Sequence, residues 1–77
     1  MIGKFFHQSA CVKCPPAKLV VEELKKRGVS IGEFNINTAD GLAEATLYSV
    51  LSTPTLLLFE NGVEISRFTS NFEQVLT

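Results

Sequence analysis

Residues Thr55 to Phe59 constrain this chain more than any other stretch. They form a continuous apolar run of strand length, entered through Pro54 and closed by Glu60, and a strand without polar alternation has to be covered on both faces. Asn61-Gly62 follows directly. That pair suits a type I′ turn, whose two central residues both need positive φ, so Val63 to Phe68 is expected to return antiparallel. At 77 residues the chain has room for one core, and residues 1–77 are expected to form a single domain.

The cover for that strand is legible upstream. Ile2 to Phe6 reads as a strand and runs into the polar loop His7-Gln8-Ser9-Ala10, which leads to Cys11. Ala17, Val20, Val21 and Leu24 fall at helical spacing, with Lys18, Glu22, Lys25 and Lys26 elsewhere on the wheel. Lys25-Lys26-Arg27 then meets the negative end of the helix dipole, and Gly28 supplies a left-handed cap. Ile31 to Ile36 reads as a second strand. Thr38-Ala39-Asp40-Gly41 offers capping side chains for a helix whose apolar positions include Ala43, Leu47 and Val50. Asn71 to Leu76 suggests a short final helix. The order β-α-β-α-β-β-α places helices on both faces of a four-stranded mixed α/β sheet, with a right-handed first crossover.

Charge and hydropathy remove several classes of function. Residues 1 to 27 carry six Lys/Arg against two acids, and residues 28 to 77 carry Arg67 against six acids, so the halves read +4 and −5. Three of the six cations are the helix-end run, which leaves no continuous basic face for nucleic acid. No apolar run approaches the roughly 20 residues of a membrane helix. Met1-Ile2-Gly3-Lys4 does not resemble a secretory leader, so a cytoplasmic location is expected.

The only two cysteines stand as Cys11-Val12-Lys13-Cys14, close enough to form a disulfide between neighbouring turns. Three readings compete. A structural staple over so short a loop is worth only about 2 kcal/mol and is reduced in a cytoplasm. A metal site for zinc or iron would have only His7, Cys11 and Cys14 in one segment, whereas structural zinc takes four ligands. The redox reading rests on Cys11 sitting before a helix, where unpaired N–H groups and Lys13 favour a thiolate. Lowering a thiol pKa from about 8.5 to about 6.5 raises its ionised fraction at pH 7 roughly 25-fold. Intrinsic nucleophilicity falls roughly eightfold, so attack gains about threefold, and the larger benefit lies in leaving-group ability. A Cys-x-x-Cys pair beside a β-α-β pattern favours this reading, with Cys11 as nucleophile and Cys14 as resolving thiol. His7 itself reads as a solvated loop histidine ahead of a ligand or proton carrier.

With the cysteines placed at that junction and Thr53-Pro54 before the core strand, nearly the whole chain resembles the thioredoxin superfamily. Thr53 through Gly62 looks like the thioredoxin stretch that begins at the cis-proline and runs through the hairpin, and Phe34-Asn35-Ile36-Asn37 resembles the preceding strand end. The small size looks more like glutaredoxins. The resemblance implies a cis Thr53–Pro54 bond, although strand-initial proline is ordinarily trans. It also implies a substrate-facing role for Lys13, Thr53 and Pro54, with Val50, Leu51 and Ser52 as a neighbouring rim.

The chain departs from that pattern at specific places. Ala10 and Val12-Lys13 stand where thioredoxins carry Trp and Gly-Pro, and Phe5 stands where they bury an acid. Proton transfer at Cys14 then falls to water or another group, Glu33 being one candidate. Ser66-Arg67-Phe68 and Thr69-Ser70-Asn71 lack the glycine pair and acid that hold glutathione in glutaredoxins, which counts against that ligand. Pro15-Pro16 argues that the helix starts only near Pro15, leaving Cys11 in a turn. The resulting expectation is a monomeric thiol–disulfide oxidoreductase without a bound cofactor. It would reduce protein disulfides and draw electrons from a partner reductase. A metal-binding module and an inactive peptide-binding module are the alternatives.

Overall fold

A computed structural model describes residues 1–76. The elements are β1 (Ile2–His7), α1 (Cys14–Lys26), β2 (Ser30–Asn35), α2 (Ala39–Leu47), β3 (Thr55–Glu60) and β4 (Val63–Phe68), closed by a 3₁₀ helix at Phe72–Leu76. The sheet order is β2-β1-β3-β4. β1 pairs parallel with β2 and antiparallel with β3, which in turn pairs antiparallel with β4. The apolar run is therefore an internal strand, and Leu56, Leu57, Leu58 and Phe59 are all buried. Asn61 and Gly62 take φ of 54° and 80° in the turn that follows, as a type I′ hairpin requires.

Strand alternation divides the apolar side chains into two layers. Phe5, Leu56 and Leu58 face α1 and pack with Ala17, Val21, Leu24 and Phe72. Phe6, Leu57 and Phe59 face the other way and pack with Ala45 of α2. Helices thus cover both faces of a thioredoxin-like α/β fold. The buried stripe of α1 contains three of the four positions that periodicity selects, with Val20 half-buried. Its C-terminus closes as a Schellman motif: Gly28 at φ 94° donates to the Lys25 carbonyl, and Val29 N–H donates to the Leu24 carbonyl.

Four local expectations are corrected. First, β1 extends through His7, whose carbonyl accepts from Ile36 N–H at 2.9 Å, so His7 ends a strand and is half-buried. Second, α1 starts at Cys14, one residue ahead of the start near Pro15 that the proline pair indicates, with Cys11 in the turn before it as expected. Prolines in the first turn lack an N–H that would in any case be unpaired, and they are tolerated there. Third, α2 does not bury Ala43 and Leu47, and Leu47 is 69% exposed. Its inward side is Gly41 and Ala45. A Cβ on Gly41 would stand 1.9 Å from the Asn35 carbonyl oxygen. This backbone approach sets the face that α2 presents, with Thr38 capping it by accepting from Gly41 N–H. Fourth, the final helix is 3₁₀ and begins at Phe72, after Asn71 at φ 54°.

Candidate functional site

The site lies where β1 hands the chain to α1. Cys11 and Cys14 are joined as a disulfide, with Cα atoms 5.3 Å apart. Cys14 is the first residue of α1 and is 7% exposed, whereas Cys11 sits in the preceding turn and is more accessible. The turn is held by Cys11 N–H donating to the Gln8 carbonyl and Cys14 N–H donating to the Cys11 carbonyl, both at 3.4 Å. Pro15 and Pro16 remove two of the N–H groups that a first turn normally offers an anion. Ala17 N–H is used by the Lys13 carbonyl. Lys13, exposed and at the N-cap position without a side-chain cap bond, stands between the two cysteines in sequence and adds a positive charge to this turn.

Two hollows flank the pair. On one side, Lys13 and the buried Pro54 line a groove together with Pro16, Val20 and Phe72. The Thr53–Pro54 peptide bond is cis. Gln8 Nε2 donates to Thr53 Oγ1 at 2.8 Å and so fastens this loop to the cysteine loop. Thr55 Oγ1 donates to the Ser52 carbonyl at 2.7 Å and fixes the other end. Leu51 and Ser52 are exposed, but Val50 is half-buried against the α2-side core and does not form part of the rim.

On the other side, Cys11, Cys14, His7, Lys18 and Glu33 line a cavity of 390 Å³. Glu33 is claimed by two cations, pairing with Lys18 and Lys25 through different carboxylate oxygens. The His7 ring stacks on Phe5 at 5.8 Å between centroids. Burial, and secondarily the Lys18 charge, hold its pKa below the usual histidine range. Gln8, Lys18 and the Glu33 pairing carry no pattern in the sequence, because strand register and helix phase bring them together. Among the described residues no group of three or more His, Cys, Asp or Glu stands in a position to hold a metal ion.

No family model matches the chain. Among solved structures it superimposes on thioredoxin O2 from Arabidopsis thaliana in its oxidized state with a TM-score of 0.87 and 19% identity, covering 97% of this chain and 68% of that one. Thioredoxin 1 from Thermosipho africanus gives 0.82 at 19% identity, covering 99% and 84%. Fasciola hepatica thioredoxin gives 0.82 at 26% identity, covering 97% and 73%. These superpositions show that the chain has the thioredoxin-like fold. By sequence it is 35% identical over 57 residues to a thioredoxin of Mycoplasma genitalium, a match covering 70% of this chain and 56% of that relative's length.

Proposed function

We propose that this protein is a thiol–disulfide oxidoreductase that reduces disulfides in polypeptides. One observation carries the reading: two cysteines close enough to bond head α1, one reachable from solvent and the other covered. That asymmetry sets the order of events. The Cys11 thiolate attacks one sulfur of a target disulfide, forming a mixed disulfide and expelling the other target sulfur as a thiolate. Cys14, deprotonated, then attacks the Cys11 sulfur, and the remaining target sulfur leaves. The target gains two electrons and two protons, and the protein is left with the Cys11–Cys14 bond.

The surroundings fit a polypeptide substrate. Val12 is 88% exposed and Leu51 95% exposed, an apolar pair on the two loops tied together beside the disulfide. Thr53 offers backbone groups to an extended chain, and Lys13 supplies positive charge where a thiolate forms. The cycle needs electrons from a partner reductase and no bound cofactor, and it suits a reducing cytoplasm.

The test is reduction of insulin disulfides with dithiothreitol as electron source. Wild type should accelerate the reaction and Cys11→Ser should abolish the acceleration. Cys14→Ser should accumulate a mixed disulfide at Cys11. Equal target binding by both cysteine variants, with no acceleration by wild type, would instead identify a peptide-binding module.

A further inference from the structure

We propose that His7 is the base that accepts the Cys14 proton when this thiol resolves the mixed disulfide, an assignment that rests on the oxidoreductase reading above. Cys14 has almost no contact with bulk solvent, and it borders the cavity that also holds His7, Lys18 and Glu33. Burial opposes ionisation of a thiol. A base lining that cavity takes the proton more readily than water does.

The lining groups leave one choice. Phe5 stands on β1 where an acid would serve, and it has no acceptor. Glu33 of β2 is committed at both oxygens to lysines, and Lys18 of α1 is itself a cation. Gln8 does not titrate and spends its amide on Thr53. The His7 ring is held in place by stacking on Phe5, and no hydrogen bond engages it among the described residues. Its depressed pKa, caused by burial and then by Lys18, keeps it neutral near pH 7 and able to accept.

The proton balance is simple. Cys14 S–H gives its proton to a His7 ring nitrogen as the Cys14–Cys11 bond forms and the Cys11–target bond breaks. The histidinium then passes it to the departing target thiolate. No further oxidant or reductant enters.

Dithiobis(nitrobenzoate), a disulfide whose released thiolate is coloured, separates the two steps with the full-length reduced protein. Attack by Cys11 releases one thiolate and resolution by Cys14 releases the second. An unassisted thiol of pKa about 8.5 is only about 3% ionised at pH 7, and a base that takes the proton as the new S–S bond forms removes up to that roughly thirtyfold penalty without first ionising the thiol. His7→Gln and His7→Phe should leave the first release within about twofold and slow the second about ten- to thirtyfold at pH 7, with the deficit closing toward pH 9. His7→Phe retains a ring to stack on Phe5 and guards against simple misfolding. With His7 in place, Lys18→Met should move the acid limb of the second step to higher pH, and Glu33→Gln should move it lower. A second release unchanged in both His7 variants, equal slowing of both releases, or an acid limb that ignores Lys18 and Glu33 overturns the assignment. A wild type that releases no second equivalent overturns the oxidoreductase reading instead.

Discussion

The two faces of the sheet are stabilised differently. On the α1 face the contact is apolar and deep: Phe5, Val21, Leu56 and Leu58 meet in one cluster, and Lys18 and Lys25 strap the helix to one carboxylate, Glu33 of β2. The α2 face has a smaller core of Phe6, Ala45, Leu57 and Phe59. It is fixed by the close backbone approach of Gly41 to Asn35 and by polar ties. Lys4 pairs with Glu44 and lies 4.6 Å from the Tyr48 ring. Arg67 donates to the Tyr48 and Ser49 carbonyls at the end of α2 while pairing with Glu64. The difference assigns tasks: one face points a helix end and a cavity at the reactive sulfurs, and the other supports the sheet from behind.

Substitutions can break that division. The largest expected effect is Cys11→Ser, which should abolish disulfide exchange while leaving the melting temperature of the reduced protein nearly unchanged. Leu56→Ala and Leu57→Ala probe opposite faces from adjacent positions. Each should cost about 2–5 kcal/mol in urea unfolding, yet the Leu57 variant should retain wild-type exchange wherever it remains folded. Gly41→Ala should cost about 3 kcal/mol, because its methyl meets backbone and no rotamer relieves it. Loss of exchange activity in folded Gly41→Ala would show that the α2 face does more than support.

Smaller effects sharpen the comparison. Lys13→Met should slow alkylation of Cys11 at pH 7 by roughly 1.4- to 5-fold, the equivalent of about 0.2–1 kcal/mol for an exposed charge. Lys4 has its pKa raised, chiefly by the Glu44 hydrogen bond against opposing burial. Its folded-state value therefore exceeds the unfolded one. The stabilisation is complete below about pH 10.4 and is lost as pH rises through the folded value. Lys4→Met should accordingly cost up to about 1 kcal/mol at pH 8 and less at pH 11, measured by urea unfolding at each pH.

The sequence carried the fold where side-chain period and packing agree. The run Thr55 to Phe59 gave a central strand, Asn61-Gly62 gave its turn, and Ala17, Val21 and Leu24 gave the buried stripe of α1, since each signal is local. It misled at α2, where a backbone approach two elements away chooses Gly41 and Ala45 over the more hydrophobic Leu47. In the site, the Cys11–Cys14 pairing was legible from spacing alone. Pro15-Pro16 pointed both ways: the helix does accept prolines in its first turn, and Cys11 does lie outside it. His7 was misplaced because one more residue of strand pairing with β2 turns a loop side chain into one that shares a cavity with Cys14. The Lys18–Glu33–Lys25 cluster depends on how α1 crosses β2, which no spacing along the chain encodes.

The most direct test of the unequal exposure of the two sulfurs is the alkylation rate of each cysteine in the reduced protein across pH, with the sites resolved by mass spectrometry. Cys11 should react many times faster than Cys14 at pH 7, with an apparent pKa below the 8.5 of a free thiol. Equal rates, a faster Cys14, or a Cys11 that titrates like a free thiol would contradict the account.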